Sequence, residues 1–174
     1  MINVSQFYEI MSCILGVLFR LWEKREDKKL LCSKILVAYD GSELSKKALG
    51  KALEIAKMDQ AVKVEVIYVI PMPKIPHTVL ANIQNIDSIL YQEGEEIMAQ
   101  VQACLSNIPN FSRTYLLIGS PAACILEHAK EYRCDLIIMG SRGLGGLKEY
   151  LGSVSHAVVH CSNMPVLIVK TEES

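Results

Sequence analysis

The sequence predicts an α/β protein in which helices cover both faces of a five-stranded parallel sheet. Five short apolar segments alternate with segments of helical periodicity from about residue 33 onward. These segments are continuous apolar runs, which is typical of strands that helices bury on both faces. A length of 174 residues is enough for one such domain with a small appendage. The expected fold is therefore a doubly wound, Rossmann-like sheet.

Turn and cap signals place the elements along the chain. The first strand is Lys34–Tyr39, and the turn at residues 40–42 leads into a helix over Glu43–Met58. A second strand over 62–70 ends in a proline-rich loop, followed by a long helix that begins at Thr78 or Asn82 and ends near residue 106. Further strands are predicted over 112–118, 134–139 and Val166–Val169, with helices over 122–132 and 153–161.

Two serines are predicted to start helices. Ser120 precedes Pro121, and this order is typical of an N-cap followed by the first helical residue. Ser153 follows a glycine and precedes an apolar helical segment, so we expect it to be the N-cap of the last helix.

Residues 1–32 are predicted to form a separate segment ahead of a domain over 33–174. Apolar residues recur there at helical spacing around an uncharged core over 10–19, which indicates an amphipathic helix. This core has about half of the ~20 residues needed to cross a bilayer, so we expect no membrane span. Three interpretations stay open: contact with the domain, contact with a partner subunit, and a membrane surface. Protein contact is favoured because the flanking charged run mixes acids and bases.

Charge and cysteine content narrow the class of protein. The formal net charge of −1 gives no support for nucleic-acid binding, which normally needs a basic excess. The six cysteines are far apart and most lie in apolar patterns, so we interpret them as reduced core thiols of a cytoplasmic protein. His156 and His160 are one helical turn apart but lack a third ligand in sequence, and we predict no metal site there.

A glycine-rich stretch after the fourth strand is the main functional signal. Five glycines fall within thirteen residues, and a helix N-terminus follows them. The free N–H groups and the dipole of a helix N-terminus favour an anion. Ligands of open parallel sheets bind beyond the carboxyl ends of the strands, where the strand order reverses. The stretch therefore predicts a phosphate cradle formed by Gly140, Gly143, Gly145, Gly146 and Gly152.

The same stretch carries a family resemblance. Gly140-Ser141-Arg142-Gly143, a spacer and Gly152-Ser153 resemble the G-x-x-G-spacer-G-(S/T) signature of the universal stress protein family, in its ATP-binding branch. The first strand with its Asp-Gly-Ser turn and the last strand are also similar to the family, so the resemblance covers 33–170. The spacer, 144–151, has eight residues where the family usually has nine. The resemblance implies the strand order 3-2-1-4-5, which makes the first and fourth strands neighbours.

The resemblance also implies roles for individual residues. Asp40 would contact adenine or its sugar, although it could instead cap the following helix. Val69 would meet adenine through its backbone. Arg142 is a candidate for added positive charge against the phosphates. The ribose and the phosphates of ATP, with Mg²⁺ or Mn²⁺ as a candidate counter-ion, would be held by Gly140, Ser141, Gly143, Gly152, Ser153 and Val154.

These implications predict an ATP-binding regulator or sensor of the stress response. No residue looks like a dedicated water-activating base, so any hydrolysis should be slow. Two alternatives stay open: an interaction module of the same fold that does not bind nucleotide, for which the short spacer would be the reason, and a slow ATPase. The apolar last strand, Val166–Val169, would lie at the sheet edge and predicts a homodimer, which family members commonly form.

Overall fold

Strands and helices alternate along the part of the chain that the computed structural model describes, which is residues 32–72, 86–143 and 151–170. The predicted N-terminal helix and the predicted start of the long second helix lie outside these residues. The strands are β1 (Lys34–Tyr39), β2 (Lys63–Pro71), β3 (Ser112–Gly119), β4 (Leu136–Gly140) and β5 (Val166–Val169). The helices are α1 (Glu43–Met58), α2 (Ile86–Leu105), α3 (Pro121–Glu131) and α4 (Ser153–Cys161).

The five strands form one parallel sheet in the order β3-β2-β1-β4-β5, as predicted. β1 lies in the middle, where Ile35 pairs with Val64 of β2 and with Leu136 of β4. Parallel strands are joined by right-handed crossovers. The chain moves outward in one direction through β2 and β3 and returns past β1 to β4 and β5. Helices α1 and α2 therefore cover one face, and α3 and α4 cover the other.

The core is divided between these two faces by the alternation of side chains along β1. Ile35, Leu36 and Val37 are completely inaccessible to solvent. Leu36 packs in a cluster with Ile125 of α3 and Val158 of α4, and its neighbours along the strand point to the opposite face. Burial of β1 on both faces explains its continuous apolar sequence.

Most predicted boundaries agree with the structure, but the predicted N-cap of α4 does not. Ser120 is the N-cap of α3 and Pro121 is its first residue, as expected. Ser153 is not the cap of α4: Gly152 holds that position, with an extended ψ of 161°, and Ser153 is already helical. The Gly152 N–H donates to the Ser141 carbonyl at 2.8 Å, and this bond fixes Gly152 as the residue that leads into the helix.

A buried polar cluster that no sequence pattern predicts lies at the amino end of the sheet. Glu65 of β2 is 2% exposed and forms an ion pair with Lys34 at 3.2 Å. His128 Nε2 lies 3.1 Å from the other Glu65 oxygen, and the His128 ring stacks on Tyr132 with centroids 4.2 Å apart. Burial raises the pKa of the nearby Cys134 thiol to about 12, and the negative charge of Glu65 adds to this effect.

Asp135 joins the starts of β1 and β4. Its carboxylate accepts hydrogen bonds from the Ser33 N–H at 2.7 Å, the Ser33 hydroxyl at 2.8 Å and the Lys34 N–H at 3.0 Å. Burial alone would raise the pKa of this carboxyl, but the hydrogen bonds from Ser33 and Lys34 together hold the pKa below its usual value. The charged form of Asp135 therefore stabilises the fold.

The prediction that the cysteines are core thiols holds for part of them. Cys32 and Cys134 are buried and Cys124 is half-buried, but Cys104 and Cys161 are exposed on helices. All five cysteines of the described residues are free. Within the same residues, no helix is long and apolar enough to span a membrane, and no group of three metal-ligating side chains is assembled.

Replacing Lys34 with methionine is expected to lower the free energy of unfolding by about 2 to 3 kcal/mol, because Glu65 would stay buried without its cationic partner. The matched control is Lys46→Met, which breaks the exposed ion pair with Glu43 and should change stability far less, because solvent screens exposed pairs. Urea denaturation followed by circular dichroism measures both. Equal losses in the two variants would contradict a special role for the buried pair.

Replacing Asp135 with asparagine should lower stability by about 1 to 2 kcal/mol at pH 7, because hydrogen bonds to a charged acceptor are lost. The pKa of Asp135 is lower in the folded than in the unfolded state, so its contribution is complete above the unfolded value of about 4 and disappears as pH falls through the folded value. Urea denaturation at pH 7 and at pH 3 should show the wild type and the variant converging at the lower pH. A gap that stays constant would refute this account.

Candidate functional site

A cavity of about 610 Å³ opens at the carboxyl ends of β1, β2 and β4. Its walls include the first residues of α3 and α4, and its position is where the strand order reverses, between β1 and β4. The volume lies within the range of about 300 to 1,000 Å³ that is common for small-molecule sites. The lining residues are Ala38, Tyr39, Asp40, Ser45, Ile67, Tyr68, Val69, Pro71, Pro121, Ile125, Met139, Gly140, Arg142, Gly143, Gly152, Ser153, Val154 and Ser155.

Asp40 is the first residue after β1 and lines the cavity. The Ser42 N–H donates to Asp40 Oδ1 at 3.0 Å, and Gly41 has the positive φ of 79° that this tight turn requires. Ser42 caps α1, because its hydroxyl oxygen accepts the Ser45 N–H at 3.2 Å. The interpretation of Asp40 as a helix cap is therefore wrong.

The other Asp40 oxygen meets the glycine loop. A Cβ built on Gly143 would overlap Asp40 Oδ2, so the loop backbone passes directly over the carboxylate. A side chain at position 143 would displace either the loop or Asp40. The requirement for glycine here comes from the close approach of the first and fourth strand ends.

Gly140 contacts α1 on one side and lines the cavity on the other. A Cβ on Gly140 would lie 2.8 Å from the Leu44 Cβ and 3.1 Å from the Leu44 carbonyl carbon. Both atoms belong to the first turn of α1, so the absence of a side chain lets this helix sit against the end of β4. Gly140 also lines the cavity.

β2 extends past the end of β1 and forms one wall of the cavity. The last residue of β1 pairs with Tyr68, whereas β2 continues to Pro71 beside β3. Lys63 donates its N–H to the Ser33 carbonyl, and the direction of the main chain alternates along a strand. The carbonyls of Val69 and Pro71 therefore face the β1 side beyond its end. Because proline has no N–H, this wall is rich in hydrogen-bond acceptors.

The start of α4 closes the cavity on the side of the loop. Gly152 has no side chain with which to cap the helix, and the first backbone bond of the helix is from the His156 N–H to the Gly152 carbonyl at 2.8 Å. The N–H groups of the preceding helical residues have no acceptor within the helix. Two of these residues, Ser153 and Val154, line the cavity.

Few charges face the cavity. Burial raises the pKa of the Tyr68 hydroxyl, and the negative charges of Asp40 and Glu93 raise it further. Burial also raises the pKa of Tyr39, partly opposed by Lys46. Both phenols therefore stay neutral at physiological pH. Among the described residues of the lining, the charged side chains are Asp40 and Arg142.

The structure brings together eight of the nine residues predicted for the site, from four separate stretches of chain. The exception is Ser141, which is 5% exposed and joins the loop to the rest of the fold by donating its N–H to the Val169 carbonyl at 2.8 Å. The apolar lining of the cavity is not among the predicted residues. No sequence pattern marks these residues, because the cavity lining and the core use the same kind of side chain. The missed apolar residues are Ala38, Ile67, Pro71, Pro121, Ile125 and Met139.

Fold and cavity together define a doubly wound α/β protein with a ligand-sized crevice at the switch point of its sheet. The universal stress protein family matches residues 32–170. The universal stress protein YxiE of Bacillus subtilis is 40% identical over 147 residues, which cover 79% of this chain and 99% of YxiE. The stress response protein NhaX of the same organism is 32% identical, with coverage of 79% and 97%. This chain belongs to the universal stress protein family.

Solved structures show the same fold. MJ0577 of Methanocaldococcus jannaschii is 31% identical, superposes with a TM-score of 0.72, and is matched over 82% of this chain and 98% of its own. Two more distant universal stress proteins, 23% and 21% identical with TM-scores of 0.55 and 0.57, were solved in complex with cAMP and with dAMP. The second protein comes from Archaeoglobus fulgidus. At these identities the likeness shows the fold alone.

Proposed function

We propose that this chain binds ATP in the cavity at the switch point and acts as a nucleotide-dependent regulator or sensor in the stress response. The observation that carries the proposal is the convergence of Asp40, Val69, the glycine loop and the start of α4 on one cavity of about 610 Å³. Together they offer apolar and acceptor groups suited to a base, a carboxylate suited to ribose hydroxyls, and N–H groups suited to phosphates. Two solved universal stress proteins of the same fold hold cAMP and dAMP, so an adenine nucleotide is a ligand that this fold can accommodate.

The base is proposed to occupy the apolar end of the cavity, between the end of β2 and the start of α3. Ile67, Ile125 and Met139 supply apolar contact there. The Val69 carbonyl faces the open side of β2 and accepts a hydrogen bond from a donor at the edge of the base. The 6-amino group of adenine is such a donor, whereas guanine has an acceptor at that position. This wall therefore favours adenine over guanine.

The phosphates are proposed to lie between the glycine loop and the start of α4. The N–H groups of Ser153 and Val154, together with the helix dipole, attract an anion. Gly143 lets the chain approach the ligand without a side chain. Asp40, on the β1 side of the loop, is placed to accept from ribose hydroxyls or from the base.

The charge balance of the cavity favours a bound divalent cation with the nucleotide. Arg142 is the cationic side chain among the described lining residues, and it does not offset the charge of a triphosphate. Phosphate oxygens and water are the ligands that Mg²⁺ prefers, and Mn²⁺ accepts similar oxygen ligands. We therefore propose that ATP binds as its Mg²⁺ or Mn²⁺ complex. We expect any hydrolysis to be slow.

The test is isothermal titration of nucleotide-stripped protein with Mg-ATP, using the pair Ser153→Glu and Ser153→Gln. Ser153 is exposed on the first turn of α4, where an acidic residue favours the helix. The glutamate variant should fold normally but repel the phosphates, and we expect its Kd to rise at least tenfold, as two like charges a few Å apart predict. Glutamine has the same size without the charge and should bind almost as the wild type does.

Mg-GTP is the matched ligand, and it should bind at least tenfold more weakly than Mg-ATP because of the acceptor wall on β2. A folded wild-type protein that binds no nucleotide would refute the proposal and favour the interaction module. If ATP binds equally to both Ser153 variants, its phosphates do not lie at α4.

We further propose that the protein is a homodimer that pairs through β5. β5 is at one edge of the sheet, with β4 as its neighbour. The Val169 carbonyl faces β4, so the main chain of the residues that alternate with it, Val166 and Ile168, faces the open edge. Leu167 is 40% exposed. An unpaired apolar edge favours a second strand, and a twofold axis would let the same edge pair with itself.

Leu167→Lys should convert the dimer to a monomer, because the two lysines would bring like charges together where β5 of one copy pairs with β5 of the other. Light scattering coupled to gel filtration at micromolar concentration should give about twice the chain mass of 19.4 kDa for the wild type and the single mass for the variant. Ile118→Lys is the control, since Ile118 is an exposed apolar residue of β3 at the opposite edge. A monomeric wild type, or an equal effect of both substitutions, would rule out pairing through β5.

A further inference from the structure

Ser155 closes the two ends of the glycine loop on each other. It lies in the first turn of α4 and is 2% exposed. Its hydroxyl donates to the Ser141 carbonyl at 2.6 Å, and the Gly152 carbonyl is 3.0 Å away. A serine near a helix start usually bonds to its own turn. Here the shorter bond reaches a residue fourteen positions earlier in the chain, at the other end of the loop.

The Ser141 carbonyl is the centre of this connection. It accepts the Ser155 hydroxyl and also the Gly152 N–H at 2.8 Å, which uses both of its lone pairs. Ser141 is itself held by the bond from its N–H to the Val169 carbonyl of β5. The end of β4, the edge strand and the start of α4 are thus joined at one buried residue, Ser141, through its N–H on the side of β5 and its carbonyl on the side of α4.

The two arms of the loop touch at this point, which we call the loop neck (Ser141, Gly152 and Ser155). A Cβ on Gly152 would lie 3.4 Å from the Arg142 Cα and 3.6 Å from the Ser155 Oγ. The neck therefore fixes the N–H groups that begin α4 relative to those that follow β4. All three neck residues lie outside the eight-residue spacer, so the neck closes with the shorter spacer in place.

We infer that Ser155 is a positioning residue for phosphate binding, which holds the start of α4 and the glycine loop at the spacing that one phosphate group requires. This inference rests on the proposed nucleotide site. The Ser155 hydroxyl is occupied by the Ser141 carbonyl, so it acts on the ligand through the loop neck. Without it, the bond from the Gly152 N–H to the Ser141 carbonyl is the hydrogen bond that remains between Ser141 and the start of α4 among those described for the neck residues.

The experiment combines nucleotide affinity with amide hydrogen exchange in Ser155→Ala, Ser155→Thr and Ser162→Ala. We expect Ser155→Ala to weaken Mg-ATP binding by roughly tenfold and to speed exchange of the Gly152 amide by at least about fivefold in the nucleotide-free protein. Ser155→Thr keeps the hydroxyl and should restore both. Ser162→Ala removes a hydroxyl bonded to the Met164 carbonyl at the far end of α4 and should change neither. Circular dichroism establishes that each variant is folded.

Each outcome decides a separate point. A wild type that binds ATP with a Ser155→Ala variant of equal affinity would overturn the inference and leave the proposed function intact. Weaker binding with unchanged Gly152 exchange would mean that Ser155 contacts the ligand directly, which also overturns the positioning role. A wild type that binds no nucleotide would remove the proposed function and this inference together.

Discussion

The position of β1 between β2 and β4 is the constraint on which the rest of the structure depends. β1 uses its hydrogen-bonding groups on both sides, and right-handed connections then send α1 and α2 to one face and α3 and α4 to the other. The chain leaves the ends of β1 and β4 in different directions. This divergence alone opens a crevice between the two strand ends, and the polar residues of both turns meet there.

Much of this arrangement can be predicted from sequence because it depends on short-range patterns and one topological rule. The strands are continuous apolar runs, the turns contain glycine or proline, and ligand residues gather at strand ends. The strand order came from the family resemblance and not from periodicity, and the structure confirms it. Apolar cavity residues such as Ala38 and Met139 could not be separated from the core, because both environments demand the same kind of side chain.

Features that depend on long-range register escaped prediction. Glu65 and His128 are 63 residues apart, and only the packing of α3 on β2 makes them partners. In the sequence, Glu65 lies within an apolar strand and His128 on a helix, with nothing to connect them. The prediction of Ser153 as the cap of α4 was wrong for a similar reason: the Gly152 N–H donates to the carbonyl of Ser141, eleven residues earlier in the chain. A local pattern contains no information about such contacts.

The contact between Gly140 and Leu44 has a consequence for how signature glycines are interpreted. Position 140 has a neighbour on each side, the crevice on one and the first turn of α1 on the other. The packing of α1 would require glycine at this position even if the crevice bound no ligand. Glycine at position 140 is therefore required by the packing of α1 against the end of β4. A substitution there would disturb this packing, so a loss of ligand binding in such a variant would not show that Gly140 contacts the ligand. Evidence for a functional crevice has to come from positions that face the crevice alone.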